Sequence, residues 1–117
     1  MIAMKFSTRD EIKNYIFGLL KVELQDEVTY SEPVLLAKIE NAINEVEEAK
    51  KYPADYSEDL IMYDMSRYVS QIRNIALYDY NQRGAEFEES HHEATVNRSY
   101  ASRNSLFAGI TPVAGVL

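Results

Sequence analysis

The sequence predicts an all-α protein: a small bundle of three to four helices, carrying an extended polar arm or loose hairpin and a C-terminal docking tail. Two patterns within residues 8–80 predict the bundle. Apolar side chains recur at helical spacing in three successive stretches, and each stretch opens on a Ser or Thr with acidic residues in the first turn. A third observation sets the boundary, because the helical period stops at Gly84. The expected organisation is a bundle over 1–83, an arm over 84–100 and a tail over 101–117.

The first helix is predicted from about Thr8 to Lys21. Thr8 and Glu11 have the spacing of a capping box, and Ile12, Tyr15, Ile16, Leu19 and Leu20 line one side, with Gly18 on the polar side. Residues 22–30 are acidic and aperiodic, and read as a loop. Ser31 is the expected N-cap of the second helix, with Pro33 in the first turn, where a missing N–H costs little. Leu35 or Leu36, Ile39, Ile43 and Val46 form its stripe. It is expected to end near Lys50–Lys51, because two cations suit the negative end of the helix dipole and Pro53 follows. Ser57 caps a third helix, whose stripe Ile61, Met65, Tyr68, Ile72 and Ile75 carries it unbroken to about Tyr80. Amphipathic helices with short connections pack as a bundle.

With 117 residues, 46% hydrophobic and 26% charged, the chain suffices for one core. It has no cysteine, so neither a disulfide framework nor a thiolate site is expected. No apolar run approaches a membrane span, and Lys5, Arg9 and Asp10 break up the start, so a soluble intracellular protein without a signal peptide is expected. The net charge of −7 is concentrated in residues 22–60, at −8, and residues 84–93, at −4. Such a chain grips phosphate backbones poorly, so sequence-specific DNA binding is not expected.

Catalytic chemistry finds little support. His91 and His92, with Glu89 and Glu93 nearby, form the one metal-like cluster, but a polar arm lacks the rigid second shell a metal centre needs, so no metal or other cofactor is expected. There is no nucleophile elbow and no glycine-rich phosphate loop. The acidic side chains Glu40, Glu45, Glu47 and Glu48 read as a solvated helix face.

Two features suggest contacts with partners. Nine tyrosines stand against no tryptophan. Tyr15, Tyr63 and Tyr68 are assigned to the core or its boundary. Tyr52 and Tyr56 beside Pro53, and Tyr78 and Tyr80 at the end of the third helix, are candidate contacts. Residues 104–117 carry no charge but include Leu106, Phe107, Ile110, Val113, Val116 and Leu117. Such a tail either folds back on its own bundle or covers a partner's surface, and its glycines, its Pro112 and the preceding polar arm favour the partner.

The run Asn81-Gln82-Arg83-Gly84-Ala85-Glu86-Phe87-Glu88, then Ser90-His91 and Asn97-Arg98-Ser99-Tyr100, resembles the small head–tail connector (adaptor) proteins of tailed bacteriophages. One branch carries a Gln-Leu-Arg-Gly tetrapeptide, then Ala-Glu-Gly-Glu, a Ser-His pair and Ser-Arg-Ser-Tyr. Here Asn81-Gln82 replace Gln-Leu, Phe87 stands where glycine is common, and Ala94-Thr95 lack a further glycine. The resemblance implies a non-enzymatic ring, usually of twelve subunits, in the virion neck beneath the portal protein and assembled in the host cytoplasm. The ring would extend the DNA channel, pass DNA as cargo, and receive the head-closure (stopper) or tail-completion protein.

On that reading Arg98, Tyr100, Arg103, Leu106, Phe107, Ile110 and Val113 would dock on the portal. Tyr52, Tyr56, Phe87, His91 and Val96 would contact neighbouring subunits, and Glu40, Glu45, Glu47 and Glu48 would face the channel. The alternative is a self-contained acidic helical binding or regulatory module, such as an inhibitor that mimics DNA, with its tail packed on its own bundle.

Overall fold

The computed structural model of the chain describes residues 6–82 and 103–113. Helices α1 (Arg9–Leu24), α2 (Glu32–Lys50), α3 (Glu58–Met65) and α4 (Val69–Gln82) form a small bundle, and a 3-10 turn at Ser66–Tyr68 separates α3 from α4. No strand occurs among the described residues.

The caps form as the sequence dictates. The Glu11 N–H donates to Thr8 Oγ1 at 3.1 Å and the Thr8 N–H to Glu11 Oε1 at 3.3 Å, a reciprocal box at the start of α1. Ser31 and Ser57 accept from the Val34 and Leu60 N–H groups at 3.4 and 3.2 Å. Helix α2 is capped after Lys50 by Lys51 in the left-handed region, φ 49°, two residues before Pro53.

Two boundaries and one inward position differ from expectation. The first helix runs on to Leu24, because Leu24 extends the buried series Ile12, Ile16, Leu20 by one more turn. The third predicted helix breaks at Ser66, whose hydroxyl donates to the Met62 carbonyl at 2.8 Å and accepts the Phe6 N–H at 2.9 Å. A serine bonding back to the carbonyl four residues earlier bends a helix, and here it also fastens the N-terminal segment. With that bend the inward position on α3 is Met62 rather than Ile61, which is only partly buried.

Helix α2 is the central element, packed most extensively on α4 and next on α1. The core comprises the inward stripes of α1, α2 and α4 with Met62 and Met65. The two central helices run antiparallel. The Ser31 N–H, at the start of α2, donates to the Tyr80 hydroxyl at 2.9 Å, and Lys50 Nζ, at its end, donates to the Tyr68 hydroxyl at 2.9 Å. Tyr80 is fully buried, so it belongs to the core and not to a contact surface. Tyr63, expected at the core boundary, is instead 53% exposed.

Candidate functional site

The tail returns to the bundle. Residues 103–113, called the strap below, turn helically over 103–105 and lie against α2 and α4. Gly109 has φ +85°, the left-handed conformation that closes such a turn at little cost for glycine. A Cβ there would meet only Gln71 Nε2 at 3.7 Å, so backbone conformation and not space calls for glycine.

Three polar contacts fix the strap, in order along α4 and then α2. Arg103 donates from Nε and Nη2 to Asp79 at 2.7 and 2.8 Å, and from Nη2 to Glu45 at 2.6 Å. Gln71 Nε2 donates to the Ala108 carbonyl at 3.0 Å. The Val113 N–H donates to the Lys50 carbonyl at 2.9 Å, at the end of α2, where a helix leaves its last carbonyls without intrahelical partners. Between these points Ile110 is 8% exposed and enters the core, while Leu106 and Phe107 pack at its margin. The hydrogen bonds to Asp79 and Glu45 raise the pKa of Arg103 further, outweighing its partial burial. The Arg103 side chain also lies over the Phe107 ring, 5.5 Å from the ring centre.

A second polar cluster joins α2 to α3 near the far end of the strap. Lys50 is buried, with its Nζ 3.5 Å from Asp64 and over the Tyr68 ring at 4.8 Å. The Tyr52 hydroxyl donates to Asp64 at 2.8 Å, and Arg67 pairs with the same carboxylate at 3.2 Å. Burial and the bond to Asp64 push the Tyr52 phenol well above its ordinary value of 10.0. Tyr52 is therefore a structural residue of the α2–α3 connection. Its ring centre lies 5.8 Å from that of Tyr56, and both face an open cleft of about 580 Å³ lined also by Glu47, Glu48 and Lys51.

The four glutamates on the second helix do not form one free face. Glu45 lies at the strap edge under Arg103, and Glu47 at the opposite edge is paired with Arg9, which also bonds Asn44. Glu40 and Glu48 remain exposed. Of the residues assigned to portal docking, Arg103, Leu106, Phe107, Ile110 and Val113 are brought together, on their own bundle. Arg98, Tyr100, Phe87, His91 and Val96 lie outside the described residues, as do His92, Glu89, Glu93, Val116, Leu117 and the whole expected arm. No sequence pattern singles out Asp79, Gln71 or Asp64, and Lys50 reads in the sequence only as a cation at a helix end. Asp79 had only an indirect signal: Arg103 adjoins an uncharged stretch and needs a carboxylate from the bundle.

Among the described residues no group of acidic or histidine side chains is arranged to hold a metal ion. No helix of the described residues is long and apolar enough to cross a membrane. In comparisons with known proteins, no family model matches the chain, and neither a curated protein nor a solved structure matches it.

Proposed function

We propose that this chain is a structural, non-enzymatic head–tail connector subunit of a tailed bacteriophage. In this reading it forms a ring, of about twelve copies by the resemblance, beneath the portal in the virion neck, extends the DNA channel and receives the head-closure or tail-completion protein. One observation carries the reading. The connector-like run 81–100 begins on the last residues of α4, and the chain is back against that same helix at Arg103, bonded to Asp79. The run thus follows a small acidic helical bundle, in the order the resemblance implies, and the described chain resumes on that bundle three residues after it, at Arg103.

Portal docking on this account uses residues 98–102, the outer side of the strap with exposed Asn104, Thr111 and Pro112, and residues 114–117. Using the buried side chain of Ile110, or the packed face of Phe107, requires the strap to leave its groove. Glu40 and Glu48, both exposed, remain the candidates for the channel wall, where a basic lining would hold DNA that must slide. Sedimentation velocity of the chain mixed with the portal ring of the same phage tests the proposal. Co-sedimentation near one copy per portal subunit, lost on truncation after Asn97, supports it. Because that truncation also removes Ile110 from the core, circular dichroism must show that the shortened chain keeps its helices.

The packing of the strap on its own bundle favours a second reading, a self-contained acidic helical module. Deleting residues 104–117 is expected to lower the melting temperature under either reading, since it strips Ile110 from the core. Portal binding therefore decides between them: folded, full-length protein that ignores the portal supports the module.

A further inference from the structure

We infer that the groove between α2 and α4 is a docking site for the strap of a second copy of this chain, so that neighbouring subunits are tied together by exchange of residues 103–113. The inference needs no portal and would hold for any ring or dimer of this protein. It rests on how the strap is attached. Among the described residues, its polar anchors lie on two helices, with Arg103 on Asp79 and Glu45, Gln71 on the Ala108 carbonyl and the Val113 N–H on the Lys50 carbonyl, while Ile110 enters the core. None of these contacts depends on which bundle the strap's own chain belongs to.

The only covalent link between strap and bundle is residues 83–102. At about 3.3 Å per residue such a connection has a maximum reach on the order of 60 Å, enough to span to an adjoining subunit. Exchange of an identical element between protomers is a low-cost route to assembly, because the contacts made in trans are those given up in cis. The charges fix the direction of docking. The groove presents two carboxylates and the strap one guanidinium, so strap meets groove and neither meets its own kind. A strap-to-groove contact is heterologous, the type that closes rings.

Effective concentration sets which partner wins. A tether of this kind gives its own strap a local concentration on the order of millimolar, so in dilute solution the strap stays on its own bundle. Where copies are held side by side, as in the proposed ring, a neighbour's strap is present at similar concentration, so docking in trans competes with docking in cis on near-equal terms.

A charge-reversal pair tests this. One chain carries Glu45→Lys and Asp79→Lys, the other Arg103→Glu, so in each the strap is repelled by its own groove. In a mixture, each strap matches the other chain's groove. The expected result is that each variant alone sediments as a monomer, while the equimolar mixture gives a species of at least twice the mass containing both chains. A mixture sedimenting as the two monomers overturns the inference, provided that circular dichroism shows both variants helical.

Should either variant lose its helices, near-native chains replace them. One carries Gln71→Cys and the other Ala108→Cys, mixed at about 1 mM, near the tether's own effective concentration, and treated with a short bismaleimide. A heterodimer supports exchange. Its absence, when the single chain carrying both cysteines cross-links internally, overturns it.

Discussion

Helix α2 is closed along both edges by an arginine from a distant part of the chain, and the two closures differ in kind. On one edge Arg9, the first residue of α1, pairs with Glu47 and Asn44. On the other Arg103, in the strap, grips Asp79 bidentately and reaches Glu45. Arg9 and Glu47 are each 35% exposed and hold nothing that capping and burial of α1 do not already hold. Arg103 and Asp79 are 21% and 17% exposed and fasten an element with a single buried apolar side chain. The same ion-pair chemistry thus decorates one seam and carries much of the other. Water accounts for the difference: a wet pair is screened and contributes little, whereas a drier, bidentate pair contributes more and leaves a costly orphan when one partner goes.

Breaking the strap seam at its apolar point is expected to have the largest effect. Ile110→Ala removes the strap's one buried side chain and is expected to cost about 2 kcal/mol, the low end for such truncations because the site lies at the core's edge. Urea unfolding checks this, and a change below about 0.5 kcal/mol would show that the strap adds nothing to the fold. Arg103→Ala is next, at about 1–2 kcal/mol, since it leaves Asp79 mostly buried without its cation.

Tyr52→Phe, beside the strap's far anchor, is expected to cost about 1 kcal/mol at neutral pH through the lost bond to Asp64. It also has a pH signature. The folded phenol titrates above the ordinary 10.0, so its contribution is fully present below pH 10 and is lost as pH rises beyond it. Stability above pH 10 is therefore expected to fall less steeply in the Phe variant than in the parent, as thermal melts across pH 9–11 would show.

Arg9→Ala is expected to have the smallest effect, about 0.5 kcal/mol, and to vanish in 1 M salt, while most of the Arg103 effect persists. Equal salt sensitivity at the two sites would erase the distinction between the seams.

The two seams were also unequally legible in the sequence. The α1 edge follows from local rules: Thr8 and Glu11 set the start, and Ile12, Ile16, Leu20 and Leu24 set the buried side. The end of that helix was misplaced only because the acidic residues around Leu24 masked one more turn. The break at Ser66 depends on a hydroxyl accepting from Phe6, sixty positions away, which no local pattern reveals. The burial of Tyr80 likewise depends on Ser31 arriving beside it. At the strap edge the sequence showed an apolar tail preceded by Arg103, but whether it covers its own bundle or a partner turns on Asp79, Glu45 and Gln71 converging in space. The four acidic side chains of α2 looked equivalent for the same reason, and tertiary pairing separates Glu45 and Glu47 from Glu40 and Glu48.

The account's central claim is that the strap belongs to the fold yet opens more readily than the bundle, as strap exchange requires. Native-state hydrogen exchange of the free protein tests it most directly. The amides of Ile110 and Val113, bonded to the carbonyls of Phe107 and Lys50, report the strap, and those of Ile43 and Ile72 report the bundle. Few buried contacts hold the strap, so its amides are expected to be protected but to exchange about 10- to 1,000-fold faster than those of the bundle. Exchange at the rate of an unstructured chain, or at the same rate as Ile43 and Ile72, would contradict the account.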